Sequence, residues 1–254
     1  MVLVIGDIIG RPGRRAVSRL LPDISREYGV NLVIANAENA AGGIGVTVNT
    51  ANELLRAGIH VLTSGNHIWA EKDIIPHLDG EMPLLRPLNY PCGVPGRGYL
   101  LTGHVMVVNL IGRTFMGNFD CPFRAMDQLL AGLHPLPPVI IVDFHAEATS
   151  EKVALGRYLD GRVSAVLGTH THVGTTDTKL LPRGTAYVTD IGMTGPVDSV
   201  IGDDVEAVTR RFLTMIPHRL SVGRGKVALD AVLIGIDEGS GRAVSIERIS
   251  RETE

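Results

Sequence analysis

Five short apolar runs in this chain each lead into a residue able to hold a metal ion, and that coincidence constrains the fold more than any other feature. Val2 to Ile5 leads into Gly6-Asp7, Leu32 to Ala35 into Glu38-Asn39, and Ile59 to Thr63 into Gly65-Asn66-His67. Val139 to Phe144 is followed by His145, and Val163 to Leu167 by Gly168-Thr169-His170-Thr171-His172. Apolar runs of this length, bounded by glycine and polar residues, predict buried strands. In open α/β sheets, ligands gather outside the carboxyl ends of such strands. His170 and His172 add a geometric expectation: in an extended chain residues i and i+2 point to the same side, so both imidazoles would face one site. Glu38 and Asn39 are sequential and would face opposite ways in a strand, so both can serve one site only from a turn.

Amphipathic segments lie between the runs, which predicts a layered α/β protein. After the first run, Val17, Leu20, Leu21, Ile24 and Tyr28 recur at helical spacing, with Pro12 in the first turn and Pro22 placed to kink the helix. Thr47 to Ala57 repeats the rhythm through Val48, Ala51 and Leu55 until Gly58 stops it. A helix after Gly202 has Asp203 as its expected cap and Val205, Val208 and Phe212 on one face. Further strands are expected at Val105 to Ile111, Thr185 to Thr189 and Val227 to Ile236. Strands without intervening helices in the last half predict a mixed sheet or two packed sheets. The 254 residues, 44% hydrophobic, show no linker tract, charge block or repeat, so residues 1–254 are expected to form one domain.

A net charge of −3 and an aromatic fraction of 4% argue against a basic groove tracking a long nucleic acid, and leave a small or single-stranded phosphate ligand open. Cys92 and Cys121 are the two cysteines, so no disulfide framework is expected and a reducing cytoplasm fits. The apolar start meets Asp7 at once and lacks a leading positive charge, which predicts a first strand and not a signal peptide. No apolar run approaches the roughly 18 residues that a membrane span requires.

The candidate ligands Asp7, Glu38, Asn39, Asn66, His145, His170 and His172 offer carboxylate, amide and imidazole donors without thiolate, a set suited to iron, manganese or zinc. Seven groups are too many for one ion and divide between two if a carboxylate bridges. Two divalent ions with two carboxylates leave a positive site, which attracts phosphate and lowers the pKa of a bridging water.

These residues, in this order, resemble the calcineurin-like metallophosphoesterase superfamily. Gly6-Asp7-Ile8-Ile9-Gly10, Asn36-Ala37-Glu38-Asn39, Asp143-Phe144-His145-Ala146-Glu147 and Asp190-Ile191-Gly192-Met193-Thr194-Gly195-Pro196 resemble its bacterial YmdB-like branch over nearly the whole chain. Ile9 stands where the wider superfamily usually has histidine, and Glu38 where it has aspartate. Both departures are features of the branch, in which the Asn after the bridging Glu takes the missing histidine's place. The resemblance implies an α-β-β-α sandwich of mixed sheets. It implies Asp7, Glu38, Asn39 and His172 around one ion and Glu38, Asn66, His145 and His170 around the other, with iron or manganese as the metal. It also implies hydrolysis of phosphodiesters, including 2′,3′-cyclic nucleotides, and an RNA-related partner.

In-line attack of a metal-bridging hydroxide on phosphorus is the expected chemistry, with His67 beside the leaving alkoxide as general acid or oxyanion stabiliser. Thr194, in a glycine-bracketed loop, is expected to line the substrate pocket. His60, His77, His104, His134 and His218 lack the strand-end setting and read as structural or solvated. Glu147, Thr149 and Lys152 read as the start of a helix, and Arg14-Arg15 and Arg210-Arg211 as solvated helix faces. Other readings are a nucleotide-binding loop at Gly6 to Gly13, whose spacing departs from Gly-x-Gly-x-x-Gly, a metal- and nucleotide-binding regulatory module linked to RNA turnover, and metal-dependent amide hydrolysis. Symmetric self-association is common among soluble proteins, and no stretch of the sequence specifies it.

Overall fold

The computed structural model describes residues 1–253 and contains two mixed sheets packed face to face. The strands are β1 (Val2–Ile5), β2 (Asp7–Ile8), β3 (Leu32–Asn36), β4 (Val61–Thr63), β5 (Tyr99–Thr102), β6 (Val105–Ile111), β7 (Val139–His145), β8 (Ala165–Thr169), β9 (Lys179–Leu180), β10 (Ala186–Val188), β11 (Met193–Pro196), β12 (Val227–Ile236) and β13 (Ala243–Thr253). The helices are α1 (Gly10–Tyr28), α2 (Val48–Arg56), α3 (Pro122–Gly132), α4 (Thr149–Leu159) and α5 (Val205–Thr214), with a 3-10 helix over Lys72–His77.

One sheet has the order β2-β11-β12-β1-β3-β4, with β13 on the other edge of β12; the second runs β5-β6-β7-β8-β10-β9. Strands β1, β3 and β4 are mutually parallel, as are β6, β7, β8 and β10. Antiparallel partners sit beside them: β12 against β1, β5 against β6 and β9 against β10.

Side-chain alternation explains why the runs are apolar throughout. Val2 and Val4 point into the layer between the sheets with Leu32, Ile34, Val107 and Ile141, whereas Leu3, Ile5, Val33 and Ala35 point outward to Val17, Leu21 and Ile24 of α1 and Leu54 of α2. On the other sheet, Met106, Val108, Ile140, Val142 and Phe144 meet Met126 of α3 and Leu155 and Leu159 of α4. Strands covered on both faces lose the polar-apolar alternation of half-exposed ones. The result is an α-β-β-α sandwich, as the family resemblance implied.

Several expectations are corrected. The third run begins its pairing at Val61, not Ile59, and the strand read at Val163 to Leu167 is β8, two residues later. Pro22, where a kink is expected, lies inside a helix that continues to Tyr28. Asp204, not Asp203, caps α5 by accepting from Ala207 N, because Asp203 is taken into a bridge with Val200 and Val222. Of the expected α5 face Val208 alone is buried, and Phe212 is 75% exposed. Arg14 is not solvated: its guanidinium binds Glu53 and the Ala40 carbonyl. Strands β2, β5, β9, β11 and β13 and helix α3 were not foreseen.

Ile34 is fully buried between the sheets. Ile34→Ala should therefore lower the unfolding free energy by about 2–5 kcal/mol. Leu213→Ala, at an 82% exposed position, should change it by less than about 0.5 kcal/mol. Urea denaturation checks both.

Candidate metal centre

Turns at the carboxyl ends of parallel strands carry the candidate residues. Asp7 opens β2 directly after β1, and Glu38 and Asn39 sit in the turn after β3, the turn that serving one site requires. Asn36, the last residue of β3, shapes it by accepting Glu38 N at 3.0 Å. Asn66 and His67 follow β4, and His145 ends β7. Gly65 allows the two sheets to meet here, since a Cβ on it would overlap both the His145 ring and Glu38 Oε2.

His170 and His172 do not face the site by strand alternation. β8 ends at Thr169, and both histidines lie beyond it with φ of 98° and 63°. Left-handed backbone is uncommon for such residues and costs of order 1–3 kcal/mol each. The conformation turns both rings inward from a loop.

Two groupings result. Around His145 Nε2 lie Glu38 Oε1 at 2.8 Å, His170 Nδ1 at 3.0 Å and Asn66 Oδ1 at 3.2 Å. Glu38, His145 and His170 can each place one ligand atom within 4.8 Å of the others, as a metal ion requires. Beside them, His172 Nε2 lies 3.1 Å from the Asn39 amide and 3.7 Å from Asp7 Oδ1. Asp7 Oδ1 is buried without a hydrogen-bond partner among the described residues, while Asp7 Oδ2 accepts His170 N at 3.1 Å.

Each histidine has its other ring nitrogen anchored, which fixes the tautomer that leaves a lone pair on the inward atom. His172 Nδ1 donates to the Ile201 carbonyl at 2.7 Å, and His170 Nε2 faces Glu147 Oε2 at 3.1 Å. His145 Nδ1 donates to Thr169 Oγ1 at 3.0 Å, and that hydroxyl donates to Asp143 Oδ1 at 2.7 Å. Asp143 also accepts from Thr63 and Asn36.

Electrostatics point the same way. Burial raises the Asp7 and Glu38 carboxyls above the usual carboxylate range. Burial also pushes His145 down to about 3 and His170 to about 4. The protein thus supplies His145 and His170 as neutral imidazoles, the ligand form, and two buried carboxyls that have no lysine or arginine partner among the described residues. A metal cation would reverse the shift of the carboxyls, so the donor set fits one.

A buried ion pair holds the histidine loop. Lys152 Nζ reaches Asp190 Oδ2 at 2.7 Å with both side chains 1% exposed, and the same oxygen accepts Thr171 N and Oγ1. Lys152 lies in the first turn of α4, as the helix-start reading expects, whereas Glu147 precedes that helix, which opens at Thr149. Their roles, with those of Asp143 and Asp190, were missed because no local spacing links them to the histidines.

The groups open into a cavity of about 760 Å³ whose wall includes Glu38, Asn39, His67, Glu147, His170 and His172. Thr194, expected to line it, is instead fully buried in β11 directly behind the wall residue Ile9, whose N donates to the Thr194 carbonyl.

This architecture defines the chain's class as a phosphatase fold of the metallophosphoesterase type. A Mycoplasma pneumoniae protein described as a novel phosphatase superposes with a TM-score of 0.93 at 32% identity, over 99% of this chain and 92% of its own. A hypothetical protein from Thermus thermophilus also superposes at 0.93, with 46% identity, over 100% and 99%. Within that class the chain belongs to the YmdB-like family, whose model, described as YmdB-like protein, matches residues 3–249. A Bacillus subtilis (strain 168) relative named 2′,3′-cyclic-nucleotide 2′-phosphodiesterase is 47% identical over 252 residues, spanning 98% of this chain and 96% of its own.

Removing one partner of a buried ion pair strands the other charge. Lys152→Ala should lower stability by about 3–5 kcal/mol. Arg26→Ala, which breaks the exposed pair with Asp23, should cost less than about 1 kcal/mol. Chemical denaturation of chelator-treated protein measures the contrast without a contribution from bound metal.

Proposed function

We propose that this chain is a two-metal phosphodiesterase acting on small phosphodiesters, 2′,3′-cyclic nucleotides foremost. The observation that carries the reading is the pair of donor groupings, with Asp7 Oδ1 buried and unpartnered in one of them. The name of the Bacillus subtilis relative supports the substrate class.

In this reading Asp7, Glu38, Asn39 and His172 hold one ion and Glu38, Asn66, His145 and His170 the other, with Glu38 shared. Iron or manganese suits the donors best, and zinc is compatible. When bound, the ions supply Lewis acidity toward the phosphoryl oxygens and an activated water.

The remaining work falls to side chains of this protein. Glu147 and Thr169 keep His170 and His145 oriented, and the Ile201 carbonyl does the same for His172. Asn66 Nδ2 stands 3.1 Å from His67 Nε2, which keeps that ring at the cavity wall. His67 there assists departure of the sugar oxygen. Water adds its oxygen to phosphorus and gives up a proton to solvent, one ribose oxygen–phosphorus bond breaks on the opposite side, and His67, as general acid, protonates the leaving oxygen and is reprotonated from solvent.

Elemental analysis of purified protein should find transition metal. Chelation should abolish hydrolysis of 2′,3′-cyclic AMP and manganese should restore it. Full activity after demonstrated metal removal would reject the reading. His67→Ala should lower turnover by roughly 10²–10⁴-fold with metal content unchanged. A His67→Ala protein that lost its metals would show that this side chain supports the site and not the leaving group.

A further inference from the structure

A second hollow, of about 620 Å³, lies along α1 and is walled by Arg11, Arg15, Arg19 and Arg224. No aspartate or glutamate among the described residues lines it. Arg11, Arg15 and Arg19 stand four residues apart, so they form one row with a spacing of about 6 Å along the helix. All four arginines are exposed. Ion pairs hold Arg14, Arg26, Arg162, Arg248 and Arg251. None among the described residues holds Arg11, Arg15 or Arg224. In a chain of net charge −3, such a row is a local field suited to an anion with several charges in a line.

One short segment separates this groove from the metal cavity. Arg219 and Leu220 line the cavity, whereas Gly223, Arg224 and Gly225 line the groove. Between them Val222 packs so closely on Gly10 and Gly43 that a Cβ on either glycine would lie 2.9 and 3.0 Å from its Cγ2. Arg211 and Arg219 stand on the cavity wall itself. Basic groups therefore run from the cavity, across this segment, to the face of α1.

Accepting the phosphodiesterase reading, we propose that the substrate class extends to single-stranded oligoribonucleotides ending in a 2′,3′-cyclic phosphate. The terminal ring occupies the metal cavity, and the preceding phosphates pass Arg219 and Arg211 to the row of Arg224, Arg11 and Arg15. A mononucleotide carries one phosphate, which the cavity takes, and leaves the row without a ligand. An unpaired strand can thread its last nucleotide into a cavity, and its backbone brings the linear charge that the row matches. The covalent step is the hydrolysis already described, at the strand's end.

The test compares wild type with Arg11→Gln/Arg15→Gln/Arg224→Gln, three exposed positions outside the metal site. For an octaribonucleotide with a terminal cyclic phosphate, KM should rise by about tenfold or more and kcat should hold. The slope of log KM against log salt should fall by about 2. Neither constant for 2′,3′-cyclic AMP should change. An equal effect on both substrates, or none on the octamer, overturns the proposal.

Fluorescence anisotropy with an octamer ending in 3′-phosphate reads the groove without turnover. Wild type that binds it no more tightly than the triple variant, while still hydrolysing cyclic AMP, would remove the groove and leave the hydrolase reading intact. Selective loss of octamer binding in a protein that hydrolyses neither substrate would remove the hydrolase reading and, with it, the extended substrate class. Arg224→Gln alone should give a smaller loss in the same direction and guards against a folding defect in the triple variant.

Discussion

Two carboxyl groups, Asp7 and Glu38, are taken almost wholly out of water in a place where the described residues offer no lysine or arginine, and the arrangement around them follows from that. Burial of an unpaired carboxylate is costly unless a partner compensates. The fold has a protein-based solution available a few residues away, since it neutralises buried Asp190 with Lys152. It does not use that solution for Asp7 or Glu38. Two of the neighbouring imidazoles, His145 and His170, are held well below the usual histidine range by burial, so a bound cation would supply the compensating charge. Asp143 stands between the two cases: burial lifts it to about 7 while hydrogen bonds from Thr63, Thr169 and Asn36 oppose the rise. That carboxyl acts on the site through Thr169, as an acceptor that orients His145.

Topology turns this local chemistry into a site built from distant parts of the chain. β1, β3 and β4 in one sheet and β7 and β8 in the other all deliver their carboxyl ends to the same edge of the sandwich. The inner apolar layer, from Val4 and Ile34 on one side to Ile141 and Leu167 on the other, sets the distance between those edges. Gly65 shows how close the approach is, because its missing side chain is the space that His145 and Glu38 occupy. Packing between the sheets and spacing between donors are therefore one quantity.

The core was readable in the sequence because strands buried on both faces announce themselves as unbroken apolar runs. β13 was not: its outward positions Val244, Ser245 and Glu247 interrupt any run, and only Ala243 and Ile249 are buried. β11 contains Gly195 and Pro196, which read as a turn when taken alone. The helix α5 misled in the opposite direction, since its periodic apolar residues Val205 and Phe212 face solvent. The candidate donors were legible because each follows a strong strand signal. The residues that orient them, Glu147, Asp143, Asp190 and Lys152, were not, because a hydrogen bond between sequence-distant side chains leaves no spacing to find. Net charge likewise hid the arginine row, since a sum over 254 residues erases an asymmetry that a helical face creates.

Stability and site geometry are linked through the segment after β8. His170 and His172 adopt left-handed backbone that would relax if the loop were free. It is not free, because Thr171 between them is bound twice to Asp190, and Asp190 is fixed by Lys152 of α4 and by the Gly192 amide. Two strained residues, costing of order 1–3 kcal/mol each, are thus offset by a buried network anchored in a neighbouring helix. Such strain persists only where the surroundings over-determine the conformation, and here they do so from the backbone amide, the hydroxyl and the ring nitrogens together. The histidine rings are consequently aimed by folding itself, so a ligand binding there would require little reorganisation of this loop.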